Sequence, residues 1–218
     1  MQDPRSTFFG KTFTGVPAGR RVVALTFDDG PNGRDTAAVL DVLAEESVHA
    51  TFFVVGKAVE REPELLRRMV SEGHALGNHT WSHAHLNIRT REGIQREVSR
   101  TEAAIERACG AQTKLVRPPF GARSFSVLEA LRCLGLECVL WSVPLAREWD
   151  RPGAETIARR LLERTVDGSI LALHDGDRGE RAERGAVAAA TRLVIDGLRA
   201  RGLRCVTVPE MLAFREAP

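Results

Sequence analysis

The sequence predicts an α/β fold of parallel βα units, wound either as a small, incomplete (β/α) barrel or as an open doubly wound sheet. Seven short apolar or β-branched runs recur along the 218 residues, at 22–27, 50–55, 75–78, 115–117, 137–141, 169–173 and 203–208. Between them lie longer stretches with apolar residues at helical spacing, and strands that alternate with helices pair in parallel. A third observation weakens the open sheet. No GxGxxG follows the first run, so its best nucleotide-binding support is missing.

Each element has a local reason. VVALTF (22–27) is apolar without a break, as a strand covered on both faces should be, and Asp28-Asp29-Gly30-Pro31 ends it with turn residues. A helix start is expected at Asp35-Thr36. ATFFVV (50–55) and ALGN (75–78) are the second and third strands. In 91–109, Ile94, Val98, Ile105 and Ala108 fall near one face with Arg and Glu elsewhere, and Thr90 can cap the start. LVR (115–117) is the fourth strand, followed by a helix capped by Ser124 or Ser126. ECVLW (137–141), SILAL (169–173) and LRCVTV (203–208) complete the set. With no linker, low-complexity tract or repeat, residues 1–218 are expected to form one domain.

Composition excludes some partners. A net charge of +2 spread over 31 basic and 29 acidic residues leaves no nucleic-acid footprint. No apolar run approaches the ~20 residues of a membrane helix. The first 21 residues carry scattered charges and no apolar core of a signal peptide. The chain as given is therefore expected in the cytoplasm, or outside it if a leader has been trimmed, and as a monomer. Cys109, Cys133, Cys138 and Cys205 form no CxxC pair and are expected to be small buried hydrophobes.

The unusual polar residues fall at the carboxyl ends of the predicted strands. Asp28 and Asp29 follow the first, His79 and His83 the third, Arg117-Pro118-Pro119 the fourth, Trp141 through Trp149 the fifth, and His174-Asp175 the sixth. In a parallel sheet or barrel those ends share the face on which active sites form. His79 and His83 are spaced i, i+4, so a helical turn would put both imidazoles on one side. With one carboxylate they would make a two-His, one-acid metal site; a hydrogen-bonded structural pair is the alternative. His85, His49 and His74 are expected to be bystanders. A cation would also explain the adjacent acids, holding one ionised while the other moves a proton, and His174 is the candidate acid for a leaving group.

At this point the chain resembles a known family. TFDDGP, NHxxxH within NHTWSH, RPPFG and LALHDG are similar, in order and spacing, to the motifs of the polysaccharide deacetylases (carbohydrate esterase family four), from about Val22 to Leu212. The resemblance implies a distorted (β/α) barrel with about seven parallel strands. It implies removal of N-acetyl groups from amino-sugar polymers or oligomers, chitooligosaccharide or peptidoglycan, with an O-acetyl xylan esterase or a non-catalytic sugar-binding relative as alternatives. Asp28 would be the general base, oriented by Arg117. Asp29, His79 and His83 would hold a divalent metal, most commonly Zn2+, with Co2+, Mn2+ or Ni2+ as substitutes. Phe120 would lend its backbone N–H to the oxyanion, Leu171 would line an acetyl pocket, and His174 would be the general acid.

One region departs from the family. Where relatives carry Asp-x-x-Asp-Trp, this chain reads PLAREW, so Pro144 and Glu148 replace the two aspartates while Trp149 remains as a groove wall. Glu148 is expected to hydrogen-bond His174 and raise its pKa. A two-His, one-carboxylate site can also serve an iron oxygenase, but that reading predicts an all-β frame.

Overall fold

The centre of the fold is β1 (Val22–Asp28), buried along its whole length. The computed structural model describes residues 6–144, 152–181 and 183–216. Every ladder in it is parallel. From β1 the sheet runs one way through β2 (Thr51–Val54), β3 (Ala75–Asn78), β4 (Leu115–Val116) and β5 (Glu137–Cys138). It runs the other way through β7 (Ile170–His174) to β6 (Val143–Pro144). Thr26 pairs with both Thr51 and Ala172, and Ala24 with both Ile170 and Val206. Hence β8 (Arg204–Val206) lies on the same edge of β1 as β2, paired with its first half. The result is a curled barrel-like sheet, as expected. All seven predicted runs contain a strand, and β6 follows the fifth of them as a further short segment. Its Pro144 is tolerated because β6 ends the strand order, where a missing N–H breaks no ladder.

Helices cover the outside. They are α1 (Gly33–Glu45), α2 (Gly56–Arg61), α3 (Pro63–Ser71), α4 (Arg91–Cys109), α5 (Phe125–Cys133), α6 (Ala154–Leu162), α7 (Val187–Ala200) and α8 (Val208–Glu216). Thr90 caps α4 by accepting from Gly93 N–H, and Ser124 caps α5 by accepting from Val127 N–H. Helix α1 starts two residues earlier than expected, because Thr36 Oγ1 accepts from Asn32 N–H and closes the first turn around Asp35.

Alternation along the strands divides two cores. Val23, Leu25 and Phe27 of β1 join Leu171 and Leu173 of β7 in the main core. Val22 and Ala24 point into the barrel, with Phe53, Ile170, Val206, Phe13 and Met211, and plug its lower half. Above that plug the interior turns polar. The four cysteines are free; only Cys138 is buried as expected, Cys109 and Cys205 being half-buried and Cys133 exposed.

Candidate metal centre and active site

The polar layer starts at Thr26. Its hydroxyl donates to Leu171 O (2.6 Å) and accepts from Arg117 Nη1 (2.8 Å). The fully buried Arg117 guanidinium also donates to Asp28 Oδ1 (2.5 Å), Leu140 O (3.1 Å) and Val139 O (3.4 Å), and lies 3.9 Å from the centre of the Phe53 ring. Burial pulls this guanidinium down from its usual range, and the Asp28 carboxylate opposes the shift. These partners come from β1, β2 and the residues that follow β5. Asp28 is therefore held as a buried carboxylate paired with Arg117 above the plug.

Asp29 takes a different direction. It sits in the left-handed region (φ 77°), which Asp tolerates better than most residues, and this turns its side chain away from Arg117. Its Oδ1 lies 3.4 Å from His79 Nε2 and 3.1 Å from His83 Nε2, yet has no hydrogen-bond partner although buried. Burial pushes this carboxyl up, but His79, His83 and the charge of His174 outweigh it and hold it well below the usual carboxylate range. His79 Nδ1 lies 2.6 Å from Arg117 O; since a carbonyl can only accept, that nitrogen donates, which fixes the ring with Nε2 turned to Asp29. Burial pushes the His83 imidazole down, and the Asp29 carboxylate opposes the shift. One ligand atom from each of Asp29, His79 and His83 converges within 4.8 Å. An orphaned carboxylate oxygen facing two imidazole nitrogens is the donor set a divalent cation fits.

The two histidines are not brought together by a helical turn. Residues 79–85 are irregular, with Thr80 (φ 67°) and His83 (φ 54°) both left-handed. Side chains hold that path. Asn78 accepts from Thr80 N–H and donates to Val98 O and Glu102, while Glu97 accepts from the N–H and hydroxyl of Ser82. These bonds to α4 replace the helical bonds that the i, i+4 spacing suggested.

His174 ends β7 directly beside Asp28 in the ladder. Neighbours in register face the same way, so the interior face of β7 carries Ala172 and His174, beside Thr26 and Asp28. Leu171 lies on the opposite face, fully buried in the main core, and does not line the site; its three-residue offset from His174 puts it behind the sheet. Phe120 is half-exposed and left-handed (φ 60°), with its ring 4.8 Å from the His83 ring. His85 is no bystander: its ring stacks on Phe120 at 5.3 Å. His74 is structural, its Nδ1 accepting from Ala50 N–H and its pKa lowered by burial to about 4. Glu148 and Trp149 lie outside the described residues.

Behind the paired acids lies Asp175, also buried. Its N–H donates to Asp28 O (3.2 Å), and its carboxylate accepts from Thr36 Oγ1 (2.5 Å) while pressing on Gly30, where a Cβ would meet it at 2.2 Å. Burial, aided by the charges of Asp29 and Asp28, pushes this carboxyl up to about 7.

With this geometry in hand, residues 15–139 match the polysaccharide deacetylase family. The chain belongs to that family. It is 40% identical over 204 residues to a chitooligosaccharide deacetylase of Sinorhizobium fredii, covering 90% of this chain and 93% of the relative. The crystal structure of the Bc1960 peptidoglycan N-acetylglucosamine deacetylase, in complex with 4-naphthalen-1-yl-N-oxidanyl-benzamide, superposes with a TM-score of 0.86 at 31% identity, covering 92% of both chains. A family 4 acetyl xylan esterase from Clostridium thermocellum, in complex with a cobalt ion, gives 0.82 at 33% identity, covering 90% of this chain and 93% of that one. In this deacetylase family member, the four quoted motifs supply the residues that converge above the plug. Among the described residues no helix is long and apolar enough to cross a membrane.

Proposed function

We propose that this protein is a metal-dependent hydrolase that removes N-acetyl groups from amino-sugar oligomers or polymers. The observation that carries the reading is the separation of the two adjacent acids: Asp28 bonded to Arg117, and Asp29 turned onto His79 and His83. Similarity to chitooligosaccharide and peptidoglycan N-acetylglucosamine deacetylases over nine-tenths of the chain supports the substrate class. The same coverage supports reading the chain as one catalytic domain.

Asp29, His79 and His83 hold the cation, Zn2+ in the first instance. When bound it supplies a water of lowered pKa and a Lewis acid for the amide carbonyl. Asp28 takes the proton of the attacking water, its carboxylate fixed by Arg117 so that no reorientation is needed. Phe120 N–H donates to the developing oxyanion. His174, beside Asp28 in the ladder, gives its proton to the departing amine. Acetate and a free amino sugar result.

A second reading, hydrolysis of O-acetyl esters, is favoured by the likeness to the acetyl xylan esterase. Acetate release from chitooligosaccharides, peptidoglycan fragments and acetylxylan, with and without added Zn2+, separates the two. Release from the amino sugars is expected; release from acetylxylan alone would replace the first reading by the second.

A further inference from the structure

The cations around the site are mostly engaged. Arg117 is bonded to Asp28, Arg61 donates to Gly179 O (3.0 Å), Arg181 lies 3.7 Å from Glu62, and Arg184 donates to Gly176 O (2.8 Å). Arg178 differs. It is exposed, and its guanidinium makes no hydrogen bond or ion pair with any described residue. Its Cζ lies 5.7 Å from the centre of the Phe120 ring, whose other contacts are His83 and His85.

Its position is built. Asp177 to Glu180 form a tight turn closed by Glu180 N–H donating to Asp177 O (2.8 Å), with Arg178 (φ 52°) and Gly179 (φ 76°) both left-handed. Two consecutive left-handed residues suit Gly and Asn, not Arg. The turn is nonetheless pinned to the site, because Gly179 N–H donates to Asp29 O (3.2 Å), the backbone of a candidate ligand. Backbone strain held in place beside a site points to a function for the side chain that bears it. An uncommitted guanidinium offers paired donors to a carboxylate. It stands one aromatic ring beyond His83, within reach of a group that extends past the metal ligands.

We propose that Arg178 is a specificity-determining residue that receives a carboxylate carried on the sugar adjacent to the one losing its acetyl group. The site then favours acidic over neutral N-acetylated glycans. This rests on the deacetylase reading. The carboxylate could be the lactyl ether acid of an N-acetylmuramic acid unit or an acid of a peptide attached to it.

The test compares kcat/KM for three matched substrates. One is a chitooligosaccharide, one an N-acetylglucosamine–N-acetylmuramic acid oligosaccharide with free lactyl acids, and one the same glycan with the lactyl acid amidated by a short peptide. Arg178→Gln should lower the ratio of acidic to neutral turnover about fivefold, the scale of an exposed charge pair. Arg178→Glu should lower it further, and Arg178→Lys should keep part of it. Added NaCl should erode the ratio in the wild type and not in Arg178→Gln. A drop confined to the free lactyl substrate identifies the lactyl acid; a drop confined to the peptidyl substrate identifies the peptide. Acetate released from all three with a ratio that Arg178→Gln and Arg178→Glu leave unmoved overturns the inference alone. No acetate from any of them overturns the deacetylase reading with it.

Discussion

Replacing Arg117 by Met tests how the buried layer supports the site. The side chain is wholly buried, so nothing in its place can be solvated. The substitution leaves the Asp28 carboxylate, itself only 1% exposed, without its cation, and takes a donor from Thr26, Leu140 O and Val139 O. Breaking a buried ion pair by removing one partner costs about 3–5 kcal/mol. Against a total stability of about 5–15 kcal/mol that is a large fraction, and it corresponds to a Tm lower by on the order of 10 °C for a chain of this size. Because Asp28 also loses its orientation, kcat/KM for acetate release should fall about 100-fold or more in whatever protein remains folded. Urea unfolding at pH 7, followed by circular dichroism, gives the first number, and acetate release gives the second. Arg117→Lys should fall between wild type and Met, since a single ammonium cannot reach the four acceptors of a planar fork. An Arg117→Met protein within about 1 kcal/mol of wild type and fully active would refute the reasoning.

Two further outcomes follow from the clamp behind the acids. Asp175 has a folded-state pKa raised to about 7 by burial, above its unfolded value, so its contribution to stability is present at acid pH and is lost as pH rises towards 7. In EDTA-treated protein, Asp175→Asn should therefore gain on wild type between pH 4 and 8, by on the order of 3 kcal/mol, and a pH-independent difference would contradict the burial. A Cβ on Gly176 would meet Asp29 O at 2.5 Å, a backbone atom that cannot swing away. Gly176→Ala should cost about 1–3 kcal/mol and weaken Zn2+ binding measured by calorimetry, with unchanged affinity as the contrary result.

Much of this arrangement was legible before the structure. Strand alternation with helices placed Asp28, His79, Arg117 and His174 at strand ends, and parallel pairing was enough to bring them to one face. Leu171 was misplaced because its side is set by register against β1: it pairs with Leu25, a core residue, whereas His174 pairs with Asp28. The i, i+4 spacing of His79 and His83 suggested a helix because local propensity carries no sign of the bonds from Asn78, Glu97 and Glu102 that hold a left-handed path instead. His85 and Arg178 obey no spacing rule; the side chains of both meet the Phe120 ring, a contact between distant loops. The family resemblance assigned Asp28 and Asp29 their separate roles, and the geometry gives the physical reason that one residue faces Arg117 while its neighbour is turned to the imidazoles.

The division of labour between those two aspartates is the central claim, and one paired measurement addresses it. Metal equivalents by elemental analysis and acetate released from an N-acetylated chitooligosaccharide are determined side by side on wild type, Asp28→Asn and Asp29→Asn. Asp28→Asn should retain about one equivalent of metal while releasing almost no acetate, whereas Asp29→Asn should lose the metal and the activity together. An Asp28→Asn protein stripped of metal, or an Asp29→Asn protein that keeps it, would contradict the account.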